Sequence, residues 1–429
     1  MMVFTHVNVI EVRAFGHTVG AVSASRAGAY AFEFDPQWVR RGIQLAPILM
    51  PATSRSRPFI FPGLPEATFH RLPPMIADSL PDKFGNAITD SWLATQGVAA
   101  GDVTALDRLT YLGSRGLGAL EYLPARGPVD APASALDMAQ LVTAARDVVH
   151  GTLKDDATSE RALRQIISVG TSAGGARAKA VVNFNPVTSA ITAGHIMPEH
   201  GFEAWLLKFD GMGLDRQLGH TQAYGRVEYA YSLMAAAAGI QTPETRLLEE
   251  NGRAHFMTRR FDRPGDGAKL HAQTLTGIAG IDFNAVGVND YAQLFTTIAA
   301  LGLGAEARAQ AFRRMVFNYA AANCDDHAKN HSFLMDAAGQ WSLAPAYDIT
   351  HAYNPEGEWT HQHLMGIGGV FMNPTRSHLL EFAERHDVLH SKALIEDVND
   401  AVDNWSEFAD RASLEVGHAD SIAKDHRRL

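Results

Sequence analysis

Residues Cys324 to Phe333 read "CDDHAKNHSF", which puts two aspartates, two histidines, a lysine and an asparagine directly after an apolar helical run. A stretch this polar ends the helix, so the chain has to turn here. The next segments set its direction: "HSFLM" and "WSLAPAYD" are strand-like arms around "DAAGQ", a hairpin that spans His331 to Ala346 and leads to Asp348. The order helix, polar loop, hairpin, carboxylate constrains the fold more than any other feature of the sequence.

Three readings of the loop compete. The simplest is a polar turn in which Asp and Asn bond to nearby backbone. A second takes His327 and His331, four apart, as metal ligands on one helix face. A zinc-protease helix needs Glu directly after the first His, and Ala328 stands there. In the third, Asp325 and Asn330 have the D-x-x-x-x-N spacing of a kinase catalytic loop. There the Asp accepts the proton of an attacking hydroxyl, and the Asn oxygen shares a magnesium ion with an Asp beyond a short hairpin. Asp348 stands in that position. Asp326 competes for the base role, and the spacing to Asn330 favours Asp325. Lys329 lies by the transferred group or faces solvent, the latter being the simpler expectation. His327 is expected to pack and orient.

Phosphoryl transfer is mostly positioning and charge neutralisation, so it also requires a lysine at the phosphates and a carboxylate to hold that lysine. "WLLKFDG" places Lys208 on an apolar strand, where an unpaired ammonium is costly to bury. Glu228 opens the helical pattern "RVEYAYSLMAAAAG" and is its candidate partner. Each also has an ordinary reading, a snorkelling edge-strand lysine and a helix first-turn carboxylate. Upstream, Gly170-Thr-Ser172-Ala-Gly174 satisfies G-x-S-x-G, the nucleophile elbow of α/β-hydrolases. An elbow runs into a long helix, whereas "AGGARAKAVVNFNP" runs into β-branched residues. Gly170, Gly174 and Gly175 suit phosphates better, because backbone N–H groups can approach them closely.

Composition narrows the class. Hydrophobic residues make up 46% and charged residues 20% of 429, ample for cores and enough chain for two or three domains. A net charge of −10 argues against the chain itself gripping a phosphate backbone. The single cysteine excludes an intrachain disulfide and fits a reducing cytosol. No signal-peptide pattern opens the sequence, and the apolar patch at "YSLMAAAAGI" falls short of the about 20 residues a membrane span needs. A cytoplasmic protein with no membrane contact is expected.

Along the chain, Val3 to about Pro51 is strand-like, and "SLPDKFGNAITDSWLATQG" is helical with Asp or Ser as caps. "ARGPVDAPASALD" is the linker candidate, followed by helices near Met138–Leu153 and Ser159–Ile167. "YGRVEYAYSLMAAAAGI" is a helix ending at Gly239, and "TRLLEENGRAHFMTRRFDR" is a hairpin turning at Asn251-Gly252. Beyond Asp290 the pattern is helical apart from the one hairpin. The expected division is a β-rich module over residues 1–125, a lobe with the glycine-rich loop over 126–260, and a helical lobe over 261–429.

These segments together resemble the HipA family, the serine/threonine kinase toxins of bacterial toxin–antitoxin systems. "LPDKFGNAI" and "LGSRGLGALEY" resemble its N-terminal module, "SAGGARAKAVV" its glycine-rich loop, "LLKF" its ATP-lysine strand and "RRFDR" the link between its lobes. "DDHAKNHSF" with "LAPAYD" resembles its catalytic core. The resemblance implies an α+β, two-lobed protein kinase-like fold with a β-rich N-terminal module and a mainly helical C-terminal lobe. It implies ATP and Mg2+ as cofactors, Asp325 as base, Asn330 and Asp348 as metal ligands and Lys208 at the phosphates. Arg259, Arg260 and Phe261 would flank the adenine, and Ser172 would be the autophosphorylated serine. His327 and Lys329 belong to the nucleotide-binding loop. The expected partners are a helix-turn-helix antitoxin, operator DNA through that antitoxin, and an aminoacyl-tRNA synthetase as substrate. The sequence departs from the family at Arg259, where the best-known members carry an acidic residue, and at "LHAQTLTGIAG". A small-molecule phosphotransferase and a pseudokinase binding subunit are the rival readings.

Overall fold

The computed structural model describes residues 4–25, 28–54, 57–127, 141, 142, 145, 178–194, 198–210, 223–250, 252–265 and 267–429. The expected linker beyond residue 127, the second helix near 159–167, Gly170, Ser172, Gly174, Gly175 and the turn residue Asn251 lie outside them. The chain forms two compact units. One comprises Met1–Leu214, Met257–Gln273 and Leu334–Gln340, and the other Asp215–Phe256, Thr274–Phe333 and Trp341–Leu429. The architecture is α+β, as expected.

In the first unit, β1 (Val9–Ala14), β2 (His17–Ala24) and β3 (Tyr30–Phe34) form an antiparallel sheet that β4 (Glu121–Leu123) completes in the order β3-β2-β1-β4. Alternation makes this sheet: Ile10, Val12 and Ala14 are buried while Val9, Glu11 and Arg13 point away. The strand-like reading to Pro51 fails at α1 (Pro36–Arg41). Asp35 caps it by accepting from the Gln37 N–H at 2.7 Å, proline fills the first turn, and Gly42 closes it at φ 72°. Short helices α2 (Glu66–Phe69) and α3 (Pro74–Ala77) lead to α4 (Lys83–Ala94), where Asp82 Oδ1 accepts from the Gly85 N–H at 2.7 Å. α5 (Ala105–Leu112) starts with a Thr104–Asp107 capping box.

Within the same unit, β5 (Lys179–Phe184) pairs with both β6 (Ile191–Ala193) and β7 (Glu203–Lys208), all antiparallel. All six residues of β5 are buried, as befits a strand covered on both faces.

The second unit begins with α6 (Tyr224–Ala237), closed by Gly239 at φ 75° as its pattern predicts. The hairpin of β8 (Thr245–Glu250) and β9 (Arg253–Arg259) comes next, with β9 from Met257 onward belonging to the first unit. A Cβ at Gly225 would lie 1.9 Å from the Ala254 carbonyl oxygen, so only glycine lets α6 approach β9 this closely. After β10 (His271–Thr274) come α7 (Leu275–Ala279), β11 (Asn289–Asp290), α8 (Tyr291–Ala300) and α9 (Ala305–Ala320). The hairpin β12 (Ser332–Met335) and β13 (Trp341–Leu343) follows, its residues Leu334–Gln340 counted with the first unit, and β14 (Met365–Gly366) and four helices complete the second. Those helices are α10 (Arg376–Arg385), α11 (Ser391–Asp403), α12 (Trp405–Arg411) and α13 (Val416–Ala423). Tyr231, Phe312, Phe317 and Trp405 anchor the core, with the Tyr231 ring edge-on to Phe317 and Trp405. Among the described residues, no helix is long and apolar enough to cross a membrane.

Candidate active site

The loop starting at Cys324 is delivered by α9. Its last turn closes when the Ala321 N–H donates to the Phe317 carbonyl at 2.8 Å, and Ala322 then reverses the chain at φ 52°. The Asn323 N–H donates to the Asn318 carbonyl at 2.9 Å, and its side chain donates to Asn318 Oδ1 at 2.9 Å. Cys324 is buried, and burial pushes its thiol far up, so the sulfur stays protonated.

The two aspartates next in the chain have opposite environments. Asp326 is buried, and its carboxylate accepts from the Tyr291 hydroxyl at 2.8 Å, His363 Nδ1 at 3.1 Å, and the Leu364 and Met365 N–H groups at 2.8 and 3.4 Å. Four donors occupy the lone-pair sites of a carboxylate and leave none for a substrate proton. The Asp325 side chain is 30% exposed, with Oδ1 3.7 Å from His327 Nε2. Of the two carboxylates, Asp325 is the more exposed and Asp326 the one enclosed by donors.

Residues Ala328–Asn330 form a single 3-10 turn, and His331 is extended. His327 and His331 therefore do not share the face of an α-helix, which removes the zinc-helix reading. His331 is buried and held neutral, its pKa lowered to about 4 by burial and then by Arg314. His327 packs near the Phe283 ring at 5.4 Å, and Lys329 places its ammonium 4.9 Å from the same ring. Lys329 is half-buried over an aromatic face rather than free in solvent.

Asn330 donates through Nδ2 to the Asp325 carbonyl at 2.7 Å, which leaves Oδ1 as an acceptor. The predicted hairpin is present, with the Ala344 N–H donating to the Ser332 carbonyl at 2.9 Å. Beyond it, the Tyr347 hydroxyl donates to the Lys329 carbonyl at 2.6 Å, so the residue before Asp348 is bonded to the residue before Asn330. Asp348 has φ 53°, a left-handed conformation that a non-glycine residue adopts at a cost and that clusters at functional sites. The Asn330 amide oxygen and the Asp348 carboxylate are both hard oxygen donors. Magnesium is held by this kind of set, one or two protein oxygens with substrate phosphates supplying the rest. Among the described residues no group of three or more His, Cys, Asp or Glu is placed to hold a metal by itself.

The first unit carries Lys208 and the Arg259–Phe261 stretch. Lys208 is buried at the end of β7, which lies between β5 and β9, so the edge-strand reading fails. It stands in register with Lys179 on β5, and Lys179 is itself buried in an ion pair with Asp82 at 2.8 Å. Sequence reasoning missed this pair, although "PDKF" and "RAKA" both sit in segments that resemble the family.

Arg259 pairs with Glu203 at 3.2 Å and is 41% exposed. Arg260 is committed elsewhere: it donates to Asp262 at 2.9 and 2.6 Å and to the Gly116 carbonyl at 3.1 Å. Burial alone would raise the Asp262 pKa. Arg260 and Arg263, with the Gly118 N–H, override it and bring the value down to about 2. "RRFDR" is thereby locked to "SRGLG", where Gly118 has φ 82° and a Cβ would lie 2.8 Å from the Ala272 nitrogen. Phe261 is half-buried. Glu228, in the second unit, is buried one turn into α6, past the helix opening expected for it.

Residues 171–406 match the HipA-like C-terminal domain, and residues 10–123 match the HipA N-terminal domain. Among solved structures the chain is similar to the Shewanella oneidensis MR-1 HipA, solved with HipB and its operator DNA. The TM-score is 0.68 at 15% identity, covering 97% of this chain and 94% of that one. The Helicobacter pylori proinflammatory kinase CtkA matches at a TM-score of 0.33 and 11% identity, covering 52% of this chain and 88% of its own, a likeness too slight to argue from. With both domains of the family matched in order, on a fold shared with a HipA protein, the chain belongs to the HipA family.

Proposed function

We propose that this chain is an ATP- and magnesium-dependent serine/threonine protein kinase, the toxin of a cytoplasmic toxin–antitoxin pair. The observation that carries the reading is the divergence of the two neighbouring aspartates: Asp326 is saturated by buried donors, and Asp325 is left partly exposed above the Asn330 turn.

In this mechanism a substrate hydroxyl oxygen attacks the γ-phosphorus of ATP, its proton passes to an Asp325 carboxylate oxygen, and ADP departs. Asn330 contributes twice. Its Nδ2–H holds the Asp325 carbonyl, and its Oδ1, with the Asp348 carboxylate, would hold the metal. Bound magnesium supplies neutralisation of phosphate charge. Lys208 serves the ATP phosphates and Glu228 is its assigned carboxylate, while His327 and Lys329 line the loop. Arg259 and Phe261 flank the adenine. Arg260, whose guanidinium is taken by Asp262 and Gly116, contributes through its backbone alone. Phosphorylation of Ser172 would add about two negative charges beside Gly174 and Gly175 and so limit activity.

The solved HipA–HipB–operator complex supports an antitoxin as partner, with DNA reached through it, and a helix-turn-helix protein is the proposed form of that partner. The proposed target is an aminoacyl-tRNA synthetase. Asp325→Asn tests the assignment: it is expected to bind Mg-ATP as the wild type does and to transfer no phosphate. Transfer at the wild-type rate would refute the role of Asp325.

A further inference from the structure

Asp326 has an unusual setting for a residue next to the candidate base. Its side chain is fully buried, and four donors converge on it from two separate parts of the second unit. The Tyr291 hydroxyl comes from the first residue of α8 and itself accepts from Asn318 Nδ2 at 2.8 Å. His363, Leu364 and Met365 come from the segment that enters β14. That segment is fixed in turn: the Tyr319 hydroxyl lies 3.0 Å from the Met365 carbonyl and 2.9 Å from that of Val370, and the Gly369 N–H donates to Asp290 Oδ2 at 2.7 Å.

His363 is stacked on the Tyr319 ring at 3.6 Å and 17°, which sets the plane of the imidazole. With Nδ1 at 3.1 Å from the Asp326 carboxylate, the proton belongs on Nδ1, and Nε2 then faces the Cys324 sulfur at 3.6 Å. Cys, His and Asp in this order have the connectivity of a nucleophilic triad. The thiol is buried and protonated, so the array cannot attack anything and works as a tether instead.

We infer that Asp326 is a positioning residue for phosphoryl transfer, acting through Asp325, with His363 and Tyr291 as the arms that hold it. The role rests on the kinase reading above. The bonds draw Asp326 into the core, and the peptide it shares with Asp325 is fixed as a result. Asp325 is then turned outward, and its carbonyl is set to receive Asn330 Nδ2. The buried carboxylate thus couples the orientation of the base to that of a metal-ligand candidate. Misplacing a catalytic group by about 1 Å costs on the order of 100-fold in rate, so a rigid anchor one residue away has a direct kinetic consequence.

The experiment compares steady-state transfer and Mg-ATP binding in the full chain for wild type, Asp326→Asn, Tyr291→Phe, His363→Phe and His363→Asn. Asp326→Asn keeps the shape but sets an amide NH2 against donors, either the Leu364 and Met365 N–H groups on the Oδ1 side or the Tyr291 hydroxyl and His363 on the Oδ2 side. It is expected to lower kcat on the order of 10- to 100-fold while changing the Kd for ATP by less than about threefold. His363→Phe keeps a ring against Tyr319 and removes the donor, so a smaller loss of kcat is expected. His363→Asn restores a donor and recovers most of the rate. Should Asp326→Asn fail to fold, Tyr291→Phe and His363→Phe read the same tether. A lowered melting temperature with kcat unchanged, or ATP affinity falling in step with kcat, would overturn the positioning role. If the wild type binds ATP and transfers nothing, the kinase reading fails and the role of Asp326 with it. If the wild type transfers and Asp326→Asn matches it, only the latter fails.

Discussion

The hydroxyl of Tyr347 donates to the main-chain carbonyl of Lys329 at 2.6 Å, and through this bond the segment beyond the β12–β13 hairpin is fastened to the Ala328–Asn330 turn. Ser332, at the start of β12, bonds to the same hydroxyl. One phenol therefore sets the spacing between the Asn330 turn and the Asp348 backbone, which in the proposed mechanism must serve a single ion. Tyr347→Phe is expected to cost about 1 kcal/mol of stability. It should also raise the magnesium concentration for half-maximal transfer roughly tenfold, because supporting contacts tune metal affinity by that order. Magnesium titration of the transfer rate checks it.

The buried Lys179–Asp82 pair gives a second expectation. Like charges opposite one another on neighbouring strands repel, and Lys179 faces Lys208, so the Asp82 carboxylate is what makes the first ammonium tolerable. Lys179→Met should cost about 3–5 kcal/mol by leaving Asp82 buried without a counter-charge. Adding Asp82→Asn, which keeps an acceptor for the Gly85 N–H, should recover part of that loss. Urea unfolding of the two singles and the double measures the coupling, and strict additivity would contradict it.

A third expectation concerns pH. His271 and His331 are buried with pKa values lowered from 6.5 to about 4, in both cases chiefly by burial. The unfolded chain thus binds more protons than the folded one between about pH 4 and 6.5, so stability rises with pH across that window and is flat in this respect above it. His271→Gln should flatten the slope of melting temperature against pH in that window. An unchanged slope would contradict the burial argument.

Gly118→Ala tests the lock between "SRGLG" and "RRFDR" in the first unit. The new methyl would combine a left-handed φ with a backbone contact at 2.8 Å. A loss of about 1–3 kcal/mol is expected from the strain alone, read by thermal melting.

Much of the fold was legible because the signals were local. "PDK" marks the cap of α4, Gly239 marks the end of α6, and the strand-like arms around "DAAGQ" mark the hairpin. The helix α1 was legible too, since Asp35, Pro36 and Gly42 spell a cap, a first turn and a stop, but the surrounding β-branched residues masked it. The parallel bridge of β11 and β14 is two residues long and joins distant segments, so no periodicity could announce it. The same holds for Lys179 with Asp82 and for His363 with Asp326. Long-range pairing is decided by packing, and single-sequence pattern carries no record of it. Asp326 shows the limit most plainly: the spacing to Asn330 favoured Asp325 over it, but the four donors that enclose Asp326 come from distant segments and left no trace in the pattern.

Kinase chemistry at this site is tested most simply by intact-mass spectrometry of phosphatase-treated protein after incubation with Mg-ATP, followed by peptide mapping, with Asp325→Asn and Asp348→Ala in parallel. The expected result is a phosphoryl group gained on Ser172 by the wild type and by neither variant. Wild-type protein that binds neither nucleotide nor phosphate would contradict the kinase assignment and leave this HipA-family chain a binding subunit.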